Sequence, residues 1–189
     1  MKKIIKKRFR VAFFGDGQAA KRSAHFIDAY DVAQLLAKYK YVIVNGGGPG
    51  VMLASTLGAA SVGGRSEAVV INAEHQPTKH YEGQSEANLA AAQKIYSLKS
   101  YQGRLHKLIR LADAYIVFYG GTGTLAEMTF VWSEAKFAYP KAKPIIFYGK
   151  KWEKIITTLG HELNLEKKEM KVCYFAHDPD SVLAILNNL

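Results

Sequence analysis

The sequence predicts an α/β protein, a single-domain Rossmann-like open parallel sheet with helices on both faces. Two observations predict it. Short apolar runs recur at residues 10–14 (RVAFF), 41–44 (YVIV), 68–71 (AVVI), 114–118 (AYIVF) and 144–148 (PIIFY). Their apolarity is continuous rather than alternating, which marks strands covered on both faces. Segments with helical spacing separate them, and this alternation builds a parallel sheet with right-handed crossovers.

Taken in order, the chain opens with a basic arm, residues 1–9, and continues as one domain over 10–189, a length that supports one substantial core. Lys2, Lys3, Lys6, Lys7, Arg8 and Arg10 supply six cations towards a net charge of +10. No aromatic and basic interleaving of RNA-binding type follows, so the arm reads as solvated and no nucleic-acid partner is expected. The positive balance suits a phosphorylated small molecule by steering. Val11 to Phe14 is too short for a signal-peptide core, and no apolar run approaches a membrane span. A single cysteine, Cys173, forms no internal disulfide, so a cytoplasmic protein without a membrane partner is expected. The six histidines include no His-Glu-x-x-His and no Cys/His cluster, so no metal site is expected.

Before the second run, Phe26, Ile27, Tyr30, Ala33 and Leu36 have the spacing of an inward helix face; before the fifth, Met128, Val131, Trp132 and Ala135 do the same. Residues 72–93 are polar and weakly periodic, a long connection with room for a short helix, and such connections are often functional. At the C-terminus, DPDSVLAILNNL opens on a capping aspartate and continues with Val182, Leu183, Ile185 and Leu186 as a helix that packs back on the sheet.

Ligands of open parallel sheets sit outside the carboxyl ends of the strands, and three glycine-rich loops fall there. Gly15-Asp16-Gly17-Gln18-Ala19-Ala20 has the dinucleotide-fingerprint form, but Asn45 and glycines stand where an acid would hold the ribose, which argues against an NAD enzyme. GGGPGVM (46–52) lets backbone approach a ligand closely, with Pro49 expected early in the following helix. GGTGT (120–124) lacks the lysine of a P-loop, Leu125 standing nearby instead, so an ATPase or kinase is not expected. Its amides and the hydroxyls of Thr122 and Thr124 make a cradle sized for one phosphate.

Two residues near that cradle have bland readings. Thr124-Leu125-Ala126-Glu127 has the spacing of a capping box, in which the acid folds back onto the helix start. Arg104 lies on a predicted helix whose Leu105, Leu108 and Ile109 face inward while Arg104, Lys107 and Arg110 face out, and periodicity does not single it out.

GGGPGVM and YGGTGTLAE together resemble the two signatures of the LONELY GUY family of nucleoside 5′-monophosphate phosphoribohydrolases, often labelled possible lysine decarboxylases; the resemblance runs over most of residues 10–150. It implies catalytic roles for Glu127 and Arg104, phosphate binding by Gly120, Gly121, Thr122, Gly123 and Thr124, and nucleotide contacts at Gly47, Gly48 and Gly50. With Gly15 and Gly17 of the first loop these make up the expected site. The resemblance further implies a homodimer or larger homo-oligomer and no cofactor. Glu127 would stabilise a sugar of oxocarbenium character or activate the attacking water. An arginine within about 4 to 6 Å lowers a carboxylate pKa by roughly 1 to 3 units, so an ionised glutamate is expected. Three positions depart from the family pattern: Tyr119 replaces proline, Leu105 replaces a frequent lysine and Leu53 a frequent glutamate. AMP or a related purine monophosphate is therefore the expected substrate, ahead of cytokinin nucleotides. A nucleotide or phosphorylated-cofactor binding protein without chemistry is the alternative, and nothing marks a pyridoxal lysine for decarboxylation.

Overall fold

A computed structural model describes residues 8–75, 84–138 and 141–189. In chain order its elements are β1 (Arg10–Phe14), α1 (Ala24–Lys38), β2 (Val42–Asn45), α2 (Val51–Ala60), β3 (Arg65–Ile71), a 3-10 turn (Ala73–His75), α3 (Glu86–Ala91), β4 (Lys94–Leu98), α4 (Tyr101–Leu111), β5 (Ala114–Val117), α5 (Thr122–Ala138), β6 (Ile145–Tyr148), α6 (Lys150–Glu162), α7 (Lys167–Met170), β7 (Cys173–Ala176) and α8 (Pro179–Asn187). The seven strands form one all-parallel sheet in the order β4-β3-β2-β1-β5-β6-β7. The predicted fold class is the observed one.

Burial explains the architecture. Side chains of β1 alternate between two cores: Val11 and Phe13 pack with Phe26, Leu36, Val51 and Leu186 from α1, α2 and α8, while Ala12 and Phe14 pack with Leu108, Met128, Trp132 and Trp152 from α4, α5 and α6. All five predicted strands form. Two more, β4 and β7, lie at the sheet edges, where KIYSL stays largely exposed and CYFA is half-buried. Helix starts are fixed by side chains that take up orphan amides: Ser23 accepts from Phe26, Ser85 from Asn88, Ser100 from Gly103, and Asp178 from Ser181. Within α1, Ile27 is 48% exposed and not part of the inward face. The connection after β3 holds the 3-10 turn and α3; its residues 76–83, like Lys2, Lys3, Lys6 and Lys7 of the arm, lie outside the described residues. Among the described residues no helix is long and apolar enough to cross a membrane.

The connectivity places the site. From β1 the chain steps outward through β2, β3 and β4, then returns to the other side of β1 with β5. Loops leaving the carboxyl ends of β1 and β5 therefore diverge, which opens a crevice at that switch point. A main-chain bond from the Asp16 amide to the Tyr119 carbonyl (2.9 Å) ties the two loops, and the Val51 amide bonds Asp16 O (2.9 Å), adding the start of α2.

Helices α1 and α2 meet without room to spare. A Cβ on Gly58 would overlap the Tyr30 carbonyl oxygen. Gly58→Ala is expected to cost about 2 to 3 kcal/mol through overpacking, read as a lower urea midpoint by tryptophan fluorescence; an unchanged midpoint would show that the two helices are free to separate.

Candidate functional site

The crevice is a cleft of about 390 Å³. Gly15, Asp16, Gly17 and Gln18 line one side, Gly121 to Thr124 and Glu127 another, and Met52, Tyr101 and Arg104 close the third. The structure thus brings together eight residues expected at the site: Gly15, Gly17, Arg104, Gly121, Thr122, Gly123, Thr124 and Glu127. Asp16, Gln18, Met52 and Tyr101 join them unforeseen; Asp16 and Gln18 were within the quoted first loop and Met52 closes the quoted GGGPGVM, while Tyr101 carries no signal apart from the fold.

Arg104 is 5% exposed. Its placement corrects the outward orientation read from helix periodicity: Arg104, Leu105, Leu108 and Ile109 together form the buried face of α4. The guanidinium is seated by backbone carbonyls, Nε donating to Val69 O and Nη2 to Gly46 O, each at 3.0 Å, with Nη2 also 4.0 Å from the Met52 sulfur. Among the described residues no carboxylate is within ion-pair distance of it. A Cβ on Gly46 would overlap Nη2, so glycine at 46 is a condition for this seat.

Gly47, Gly48 and Gly50 are buried behind the cleft wall rather than along it. The Gly47 amide donates to Asn45 Oδ1 (2.9 Å), its carbonyl accepts from the Ser85 amide (2.9 Å), and Gly48 O accepts from Asn88 Nδ2 (2.7 Å). Gly47 and Gly50 have φ of 74° and 61°, the region that favours glycine. Fully buried Asn45, Thr56 and Asn88 complete this network, Asn45 Nδ2 donating to Thr56 Oγ1 (2.8 Å) and Thr56 Oγ1 to Asn88 Oδ1 (2.6 Å). Pro49 precedes the cap Gly50 and lies outside α2, not early within it. Gly120 also stands off the cleft lining; a Cβ there would overlap Thr124 Oγ1.

Helix α5 begins at Thr122, two residues before the expected cap, and Leu125 N bonds Gly121 O (3.1 Å). Thr124 and Glu127 are therefore both inside the helix, and the capping-box reading is replaced by a carboxylate on the cleft lining one turn in. Glu127 is half-buried. Burial pushes its carboxyl up to about 7, with the Arg104 cation pulling in the opposite direction. This departs from the firmly ionised state expected, because desolvation by burial outweighs the attraction of Arg104.

The three departures leave the cleft. Tyr119 turns its ring onto Trp152 (centroids 5.9 Å apart), and its hydroxyl accepts from the Lys151 amide at 2.7 Å, serving α6, whose cap Gly149 has no side chain. Leu105 and Leu53 are core residues, 8% and 6% exposed. No group of three or more His, Cys, Asp or Glu suited to a metal occurs among the described residues.

A family model matches residues 8–176, nearly the whole described chain. The chain belongs to the SLOG cluster4 family. This SLOG cluster4 protein is 25% identical over 143 residues to an uncharacterized protein of Archaeoglobus fulgidus, covering 76% of this chain and 86% of that one. Solved structures share the fold at lower identity. TM1055 aligns with a TM-score of 0.72 at 19% identity over 96% of this chain and 99% of that one. The molybdenum cofactor binding protein of Rippkaea orientalis aligns at 0.70 and 19% over 96% and 97%. DNA processing protein A of Helicobacter pylori, described for its single-stranded DNA binding mode, aligns at 0.61 and 16% over 95% and 80%.

The raised Glu127 pKa sets a pH signature. Its folded value lies above the ordinary 4.5, so the native state holds the proton more tightly, and the stability this contributes is complete below about pH 4.5 and is lost as pH rises through 7. Glu127→Gln is expected to match wild type in urea midpoint at low pH and to exceed it at pH 8. Arg104→Met is expected to move the Glu127 titration, followed by carboxyl NMR, still higher; a Glu127 titrating in the ordinary carboxylate range would contradict both.

Proposed function

We propose that the cleft binds a nucleoside 5′-monophosphate or a phosphorylated cofactor of that class, with the phosphoryl group at the start of α5. The observation that carries this is the pair Gly121 and Gly123. A Cβ at either would meet nothing of the chain within 4 Å, and neither has a positive φ. Gly123 lies in the first turn of α5, where glycine is unfavourable by roughly 0.5 to 1 kcal/mol against alanine; Gly121 stands just ahead of the helix, and internal packing supplies no reason for glycine at either position. Close approach of a ligand to the first-turn amides, which have no carbonyl four residues back, supplies one. Arg104, buried and without an ion pair among the described residues, lines the same cleft and offers the anion a cation. Fold neighbours named for binding a molybdenum cofactor or single-stranded DNA support binding as the basic property of such a cleft.

A second reading, hydrolysis of the LONELY GUY type, is favoured by Glu127 and Arg104 lining one cleft. With the phosphate at Gly121 to Thr124, the ribose would lie beside Glu127, one helical turn further in. The C1′–N bond breaks as the oxygen of water bonds C1′. Ionised Glu127 takes a proton from that water and stabilises positive charge on the sugar, and the protonated acid returns it to the departing base. A carboxyl titrating near 7 populates both forms at neutral pH. Phosphate binding remote from the broken bond supplies orientation.

Gly123→Ala is expected to keep or raise stability, by up to about 1 kcal/mol, while weakening AMP binding by calorimetry. No measurable binding of AMP to wild type, or unaltered binding in the variant, would remove the phosphate cradle. Chromatography for adenine separates the two readings: under simple binding no adenine appears, whereas under hydrolysis it appears and is lost in Glu127→Gln with AMP binding retained.

A further inference from the structure

The sheet edge opposite the cleft holds a second concavity. Arg8 precedes β1, Lys40 and Tyr41 join α1 to β2, and Gly64 and Arg65 lead into β3; in a parallel sheet all of these lie at the amino ends of the strands. They line a pocket of about 200 Å³ with three cations and no acid. Arg8, Lys40 and Arg65 are exposed, and their side chains have no hydrogen bond or ion pair among the described residues. Arg10, next in line, is different. It forms a two-point pair with buried Glu67, Nε to Oε2 and Nη2 to Oε1, both 3.1 Å, so that acid is already engaged.

Lys40 makes the charge less easily dismissed as a solvated surface. It directly follows the C-cap of α1 at φ 69°, where glycine or asparagine is the usual residue. Its amide and that of Tyr41 close the helix onto Ala37 O and Leu36 O (3.0 and 3.1 Å), a role glycine would fill without strain. A lysine side chain is kept at a position whose backbone disfavours one. Two rings adjoin the cations: Phe9, 37% exposed, stands edge-on to Tyr41 with centroids 5.6 Å apart. Lys2, Lys3, Lys6 and Lys7 precede Arg8 in the sequence.

We infer that this pocket is a second binding site, for the phosphate backbone of a single-stranded nucleic acid, separate from the cleft. Unpaired cations in a row match a repeating polyanion, and an exposed ring beside them offers a stacking face for a base. The site is concave, which admits a strand and not a flat bilayer. Sequence alone gives no aromatic and basic interleaving; the fold creates it by bringing residues 8–9, 40–41 and 65 together. The inference is independent of what the cleft binds or does.

The test is fluorescence anisotropy of a labelled single-stranded DNA of about 20 nucleotides across roughly 50 to 200 mM KCl. The wild type is compared with the triple variant Arg8→Gln, Lys40→Gln, Arg65→Gln, with Lys40→Gly, and with Arg104→Met. Removing three phosphate contacts is expected to reduce the salt slope by about 2, at ~0.7 per cation, and affinity by roughly tenfold or more. Lys40→Gly, which suits the backbone, is expected to weaken binding with the urea midpoint held or raised, and so answers the question even if the triple variant fails to fold. Arg104→Met is expected to bind the strand as wild type does. Unchanged strand binding in the pocket variants, loss only in Arg104→Met, or binding to phosphatidylserine vesicles but not to DNA would each overturn the proposal.

Discussion

One interaction organises the functional end of this protein: the guanidinium of Arg104 bonded to the carbonyls of Val69 and Gly46. A buried cation is costly unless its donors are met, and here a strand, a loop and a helix combine to meet them. The requirement runs outward from that seat. Position 46 has no room for a side chain, and the loop at 46–50 is held by Asn45, Thr56 and Asn88, each fully buried and each bonded. Carbonyl dipoles hold the arginine without cancelling its charge as a carboxylate would. The cleft is thereby left with a fixed positive group.

The glycines divide by what surrounds them. At 46, 47, 50 and 120 an added Cβ would collide with the chain's own atoms, so the fold itself explains these residues. At 121 and 123 it would collide with nothing. Glu127 follows the same logic of surroundings: burial raises its pKa and Arg104 lowers it, leaving the carboxyl near neutrality rather than firmly ionised. Such balance is common where proton transfer occurs, and paired structural groups produce it as well. The SLOG cluster4 fold supplies a cleft lined by the start of α5, Arg104 and Glu127; the anion site proposed there, and any chemistry, are further properties to be tested rather than ones that follow from the fold.

Continuous apolar runs made the five inner strands legible, because strands covered on both faces carry few polar residues. The edge strands lacked that signature: KIYSL mixes polar and apolar residues, with Lys94, Ile95 and Ser97 exposed, and CYFA is only half-buried. Arg104 was legible only through family resemblance. Hydropathy assigns an arginine to the solvent side, yet this one lies in line with Leu108 on the inner stripe because backbone carbonyls from β3 and the β2 loop are waiting for it. The T-x-x-E spacing also misled, since helix α5 starts at Thr122 and a capping box needs its threonine outside the helix. The basic pocket was invisible for a different reason: its parts are spread over more than fifty positions of sequence, from Arg8 to Arg65, and only a parallel sheet sets them side by side.

The central claim is that the start of α5 is an anion cradle facing Arg104 across the cleft. A crystal structure with AMP tests it most directly. The account places the phosphoryl oxygens within hydrogen-bonding distance of amides between Gly121 and Thr124, with the ribose turned towards Glu127. A phosphoryl group lodged away from α5, with those amides facing only solvent, would contradict it.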